Sequence, residues 1–169
     1  MIGFMKESGL MARQGGPRGD SAAFLIAQVG AHAAQRFGEA LKPHGFTPHD
    51  AGILRLLALT PGISQQELAK RLGMHASRLV GVLDDLEERG LMERRPSETD
   101  RRLYALHLTP GGEATLGVIR QVAREHHRAL LESLSEEERA SLASMLARVA
   151  EQQGLTPGVH PAYRRGGEE

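Results

Sequence analysis

The chain has 169 residues, 40% of them hydrophobic and 25% charged, an ordinary composition for about one globular domain. Lys plus Arg and Asp plus Glu each number 21, so the formal net charge is zero. That excludes a bulk basic coat for nucleic acid and requires any nucleic-acid surface to be local. The absence of cysteine excludes disulfides, thiolate metal sites, thiol catalysis and thiol redox sensing, and 4% aromatic content without Trp argues against a base-stacking platform.

The longest apolar run, Ala22 to Ala27, is far short of the roughly 20 residues that span a bilayer. The first twenty residues lack the apolar stretch of a signal peptide, so the expectation is a soluble, cytoplasmic protein. Residues 1–20 are rich in Gly, and 154–169 alternate Gly, Pro and charge, so both read as mobile tails around a structured span of 21–153.

Helices dominate that span. Asp20 or Ser21 caps a first helix whose apolar residues Leu25, Val29, Ala33, Phe37 and Leu41 recur every fourth position, ending near Pro43 to Gly45. Thr47 and Pro48 start a second, with Ile53, Leu54, Leu57 and Ala58 inward and Thr60-Pro61-Gly62 as its stop. Ser64 and Glu67 have the spacing of a capping box, with Ile63 and Leu68 as its hydrophobic staple, for a short helix over about 64–71. Gly73 breaks it. A further helix from about His75 turns Leu79, Val82, Leu83 and Leu86 inward and stops at Gly90.

After Gly90 the pattern alternates. Leu91 to Arg95 and Leu103 to Leu108 read as two strands joined by the turn Pro96 to Asp100, a two-stranded ribbon with a charged tip. Thr109-Pro110 then opens a long helix through Val118, Ile119, Val122 and Leu130. Ser135 and Glu138 box a last one carrying Leu142, Met145, Leu146 and Val149.

Helix, Gly turn, helix, ribbon is the order of a winged helix-turn-helix, in a mostly α (α+β) fold. Its second helix suits the DNA major groove, because an α-helix about 10–12 Å across fits a groove about 12 Å wide. The inward set leaves Ala76, Ser77, Arg78, Val80 and Gly81 facing out. Arg78 has the fork that reads guanine, Ser77 suits a base or phosphate, and Val80 suits a thymine methyl. Ser64 and Gln65 begin the preceding helix, where backbone amides meet phosphate. On the ribbon, Arg102 has the reach for a narrow minor groove, with Asp100 two residues away to hold it extended. From Arg89 to Arg102 there are five arginines against three acids, while Ser135 to Gln153 has four Glu against two Arg. Zero net charge is thus segregated charge. Alternation sends one of Arg94 and Arg95 towards DNA and the other away, and Asp84, Glu87 and Glu88 read as a solvated helix face.

The run LGMHASRLVGVLDDLEERGLMERRPSETDRRLYALHLTPGG, Leu72 to Gly112, resembles the signature stretch of the MarR family of bacterial transcriptional regulators. The flanking layout, over about Ser21 to Gln153, is similar as well. The resemblance implies a homodimer on double-stranded DNA with a pseudo-palindromic operator, usually a repressor, and often a small apolar or phenolic effector, with no cofactor. It places His75, Ala76, Ser77, Arg78, Val80 and Gly81 in the major groove, and Arg95, Asp100, Arg101 and Arg102 on the wing. His75 stands where the family usually has a capping residue, and Gly81 where a basic or polar contact is common. The implied division is a dimerisation helix over 21–46, the winged domain over 47–108 and dimerisation helices over 109–153, with Leu25, Val29, Phe37, Leu142, Leu146 and Val149 as dimer contacts. The alternative for the Leu25-to-Leu41 stripe is ordinary intrachain core.

Enzyme motifs are absent: there is no P-loop, nucleophile elbow, H-E-x-x-H or carboxylate pair set across a cleft. Two alternative functions keep the fold. One is a winged helix used only for protein contacts; the other is a zinc-responsive regulator using histidines such as His44 and His49, although His126 and His127, being adjacent, point about 100° apart.

Overall fold

The computed structural model describes residues 21–97 and 104–160. The chain divides into two compact units, residues 1–34 and 35–169. In the first, helix α1 (Ala22–Leu41) begins with the Ser21 hydroxyl accepting from Phe24 N–H at 3.2 Å. Phe24, Leu25, Ile26 and Val29 there are all exposed.

The second unit starts within α1. Leu41 is fully buried, and Phe37 and Ala40 pack beside it, with the Phe37 ring 5.5 Å from that of His126. The apolar stripe therefore has two fates: its C-terminal end, Phe37 included, packs on this chain's own core, and its N-terminal part stays uncovered. Lys42–His44 form a 3-10 turn closed by Gly45 at φ 74°. Helix α2 (Pro48–Leu59) follows under a full capping box, in which Asp50 N–H donates to the Thr47 hydroxyl at 3.2 Å and Thr47 N–H to Asp50 Oδ2 at 2.8 Å. Sequence spacing gave the Thr47 cap but not the reciprocal Asp50.

Ile63–Ser64 form a short strand, β1, before helix α3 (Gln65–Leu72). The Ser64 hydroxyl accepts from Glu67 N–H at 3.2 Å, but the expected box is only half made, because the Glu67 carboxylate accepts from Arg71 Nε at 3.1 Å instead. Gly73, at φ 65°, ends α3, and helix α4 (Ala76–Glu88) buries Leu79, Leu83 and Leu86. Gly90, at φ 68°, turns the chain into β2 (Met92–Pro96), which pairs antiparallel with β3 (Tyr104–Leu108) from Met92 opposite Leu108 to Pro96 opposite Tyr104.

The sheet is three-stranded, in the order β1-β3-β2, rather than the two-stranded ribbon expected. Two residues are too short for alternation to show, yet Ile63 pairs with Leu106, and both are buried. Helix α5 (Pro110–Leu130) leaves the sheet under a Thr109 cap. Its start crosses the turn after α4 so closely that a Cβ on Gly112 would sit 1.9 Å from the Leu91 carbonyl oxygen. Helix α6 (Glu136–Gln152) has the expected Ser135–Glu138 box and no buried residue.

Residues 154–160, expected to belong to a mobile tail, pack on the second unit. Val159 lies half-buried against the core, and Arg55 Nη1 of α2 donates to the Gly158 carbonyl at 3.3 Å. A single apolar residue makes the anchor, which no periodicity reveals. No helix among the described residues is long and apolar enough to cross a membrane.

Candidate nucleic-acid interface

Helix α4 has one committed face and one open face. Its inward leucines are fully buried, while His75, Ala76, Ser77, Arg78, Val80 and Gly81 are all exposed. The helix begins at His75 without a side-chain cap, and its first turn closes with Arg78 N–H donating to the His75 carbonyl at 3.1 Å. The amides of Ala76 and Ser77 thus lead the helix with its positive dipole end, which suits a phosphate. Ser64 and Gln65 open α3, both half-buried. The Ser64 oxygen is already the cap acceptor, so its hydroxyl proton is what remains for a phosphate.

His49, in the first turn of α2, lies within electrostatic range of Arg78. Its pKa is lowered by burial first, then by the charge of Arg78, against the raising effect of Asp50, with His160 adding a smaller lowering. The imidazole is therefore neutral near pH 7.

The ribbon sends its two arginines to opposite sides. Arg94 turns towards α4, where Nη2 donates to Asp84 Oδ1 at 2.6 Å, Nη1 to Glu87 Oε2, and its backbone N–H to Glu87 Oε1 at 3.0 Å. Burial works to lower the Arg94 pKa, but the hydrogen bonds and charges of Asp84 and Glu87 outweigh it and raise the value. Asp84 and Glu87 are thus the clamp that holds the ribbon to α4, and not simply a solvated face. Arg95 points the other way, exposed, with its guanidinium on Glu93 of the same strand. Asp100, Arg101 and Arg102 lie outside the described residues.

A second brace was not legible in sequence. Arg89, at the end of α4, donates to Asp85 at 3.1 Å and to the Gly45 carbonyl at 3.0 Å, and its guanidinium lies 4.5 Å over the Phe46 ring. The i, i+4 spacing of Asp85 and Arg89 was the available signal. Among the described residues, no three His, Asp or Glu side chains gather to hold a metal ion.

A family model described as MarR family matches residues 44–103, which spans α2 through β2 and ends just before β3. A Thauera aromatica protein named as a transcriptional regulator for the hcr operon is 40% identical over 113 residues, covering 67% of this chain and 68% of its own. The chain belongs to the MarR family. Among solved structures, the transcriptional repressor CouR bound to a 23-mer DNA duplex is 35% identical with a TM-score of 0.69, covering 77% of this chain and 92% of that one. Apo MarR from E. coli is 28% identical with a TM-score of 0.70, covering 79% and 98%. This MarR-family chain is a DNA-binding transcriptional regulator with a winged helix-turn-helix, not an enzyme.

Proposed function

We propose that the protein is a homodimeric repressor of a pseudo-palindromic operator, each copy laying α4 in a major groove. The observation that carries this reading is the open face of α4, where Ser77, Arg78 and Val80 are exposed while Leu79, Leu83 and Leu86 on the other side are fully buried. Arg78 reads a guanine edge, and Ser77 and Val80 flank it. His75, Ala76 and Gly81 line the same approach. Ser64 and Gln65 hold phosphate, and Arg95 with Asp100, Arg101 and Arg102 forms the wing contact.

Dimerisation follows from what residues 21–46 and 109–153 leave uncovered. Helix α6 has no fully buried residue, and Met145, Leu146 and Val149 are exposed on it, as are Leu25 and Val29 on α1. A 17-residue helix with no buried side chain needs a partner to be worth forming. A second copy supplies it, with Leu142 and Phe37 at the edge of that contact. A small apolar or phenolic effector relieves repression in the cytoplasm by binding the DNA-incompetent dimer more tightly than the competent one.

The test is fluorescence anisotropy with the duplex upstream of the protein's own reading frame against a scrambled duplex, across a salt series. The expected result is preference for the upstream duplex and affinity that falls steeply with salt. Equal binding to both duplexes sinks the reading. Analytical ultracentrifugation showing only monomer at operator-binding concentrations removes the dimer.

A further inference from the structure

The chain does not end its ordered path with α6. Gly154, at φ 65°, stops the helix, with Leu155 N–H donating to the Ala150 carbonyl at 3.0 Å, and the chain turns back onto α2. A second tight turn follows, in which Val159 N–H donates to the Thr156 carbonyl at 3.2 Å across Gly158, at φ 72°. Two contacts pin that turn: Val159 packs half-buried on the core, and Arg55 Nη1 of α2 donates to the Gly158 carbonyl at 3.3 Å. A Cβ on Gly158 would lie 3.4 Å from both terminal nitrogens of Arg55, so the guanidinium sits directly against the turn.

The pinned turn has a direction. Arg55 lies about 9 Å along α2 from His49, and His49 is within electrostatic range of both Arg78 and His160. The chain thus heads from the middle of α2 to its N-terminal turn and reaches His160, exposed, on the side where Ser77 and Arg78 face out of α4. Asp50 is the acid that acts on His49, and it is engaged, its Oδ2 accepting from Thr47 N–H at 2.8 Å. Arg78 makes no ion pair among the described residues. Beyond His160 the sequence reads Pro161-Ala162-Tyr163-Arg164-Arg165, and Glu168 and Glu169 follow only after Gly166-Gly167. Arg164 and Arg165 are four and five residues on, at most about 13–18 Å of chain. The phosphate walls of a major groove about 12 Å wide fall within that reach.

We infer that residues 154–165 form a C-terminal arm on double-stranded DNA: the turn pinned to α2 aims the chain at the groove that α4 enters, and Arg164 and Arg165 hold phosphates on its wall. The arm rests on the reading of α4 as the groove-binding helix. It touches no base, so it strengthens binding to any duplex and leaves preference to Arg78 and its neighbours. Anchoring matters because an arm already held beside the groove loses less freedom on binding than a loose tail. Two arginines stand against two glutamates after His160, so order along the chain and not summed charge makes the contact.

Fluorescence anisotropy on the full chain, with the upstream duplex and its scrambled counterpart across a salt series, tests the arm. Arg164→Gln with Arg165→Gln is expected to weaken both duplexes alike, by about fivefold or more, and to reduce the salt slope by about two per copy. Val159→Asn releases the anchor at unchanged charge. Compared at a temperature where circular dichroism shows it folded, it is expected to weaken both duplexes by about threefold or more. All three substitutions together are expected to weaken binding no further than the arginine pair alone. Wild-type or tighter binding by the arginine variant, wild-type binding by Val159→Asn, or additive losses in the combined variant overturns the arm. The operator reading fails separately, when the wild type binds both duplexes equally, because the arm is read from the change between variants on either duplex.

Discussion

Arg94 of β2 donates to Asp84 of α4 at 2.6 Å, and this contact, with its companion to Glu87, makes the ribbon and the recognition helix one body. A ribbon tied to α4 is held at a fixed offset from it, so Arg94 is expected to govern how both parts meet DNA.

Arg94→Gln is therefore expected to cost stability and DNA affinity together. The Arg94 side chain is 18% exposed and its partners 52% and 38%, so the loss is about 1–3 kcal/mol rather than that of a fully buried pair. Urea denaturation reads the stability and anisotropy reads the affinity. An unchanged operator affinity in a destabilised Arg94→Gln would show that the clamp does not set the wing.

Gly112 offers the sharpest packing test. An alanine there puts its Cβ 1.9 Å from the Leu91 carbonyl oxygen, a backbone atom that cannot swing away. Gly112→Ala is expected to destabilise at or above the top of the roughly 1–3 kcal/mol typical of overpacking. Gly117→Ala, with nothing within 4 Å, is expected to be neutral or slightly stabilising through helix propensity. Equal melting temperatures for the two variants would refute the close crossing.

His49 predicts a pH dependence with a definite sign. Its folded pKa lies below the ordinary histidine value of 6.5, so between the two values the unfolded chain binds more protons. The associated stability is complete above pH 6.5 and declines as pH falls towards the folded value. His49→Gln should flatten the fall in stability that sets in as pH drops through 6.5. A profile unchanged by the substitution would remove His49 as its source.

How much of this was visible beforehand depends on the range of each signal. Caps and Gly stops act within four residues, so Thr47, Gly73, Gly90 and Ser135 announce their helices directly. The exposed face of α4 follows from helical period alone once Leu79, Leu83 and Leu86 are assigned inward. The Arg94 clamp, the Arg89 brace and the Arg55 contact bridge 7 to 103 positions of sequence, and no local pattern encodes such pairings. Ser64 shows why even local patterns mislead: Glu67 had two partners in range and took Arg71.

The segment after α6 is expected to contribute to stability. Truncation after Gln153 removes the half-buried Val159 and the Arg55 contact to Gly158, together about 1–2 kcal/mol. A thermal melt should fall by several degrees, and Val159→Asp in the full chain should reproduce most of the drop. A truncated chain that melts with the full one would show that residues 154–160 add nothing.

Arg78 and Arg102 should fail differently, and the difference separates reading from holding. An arginine that forks onto a guanine edge carries about 1–3 kcal/mol of discrimination at one base pair, so Arg78→Ala should lose affinity for the operator while its ranking of variants at one position per half-site collapses. A wing arginine in the minor groove meets phosphate potential more than base identity, so Arg102→Ala should weaken every duplex alike and reduce the salt slope by about one charge per copy. The measurement is anisotropy on a panel of single-base operator variants at several salt concentrations. Arg78→Ala weakening all variants equally, with a shallower salt slope, would make Arg78 a phosphate contact and move base reading to Ser77 and Val80, its neighbours on the exposed face.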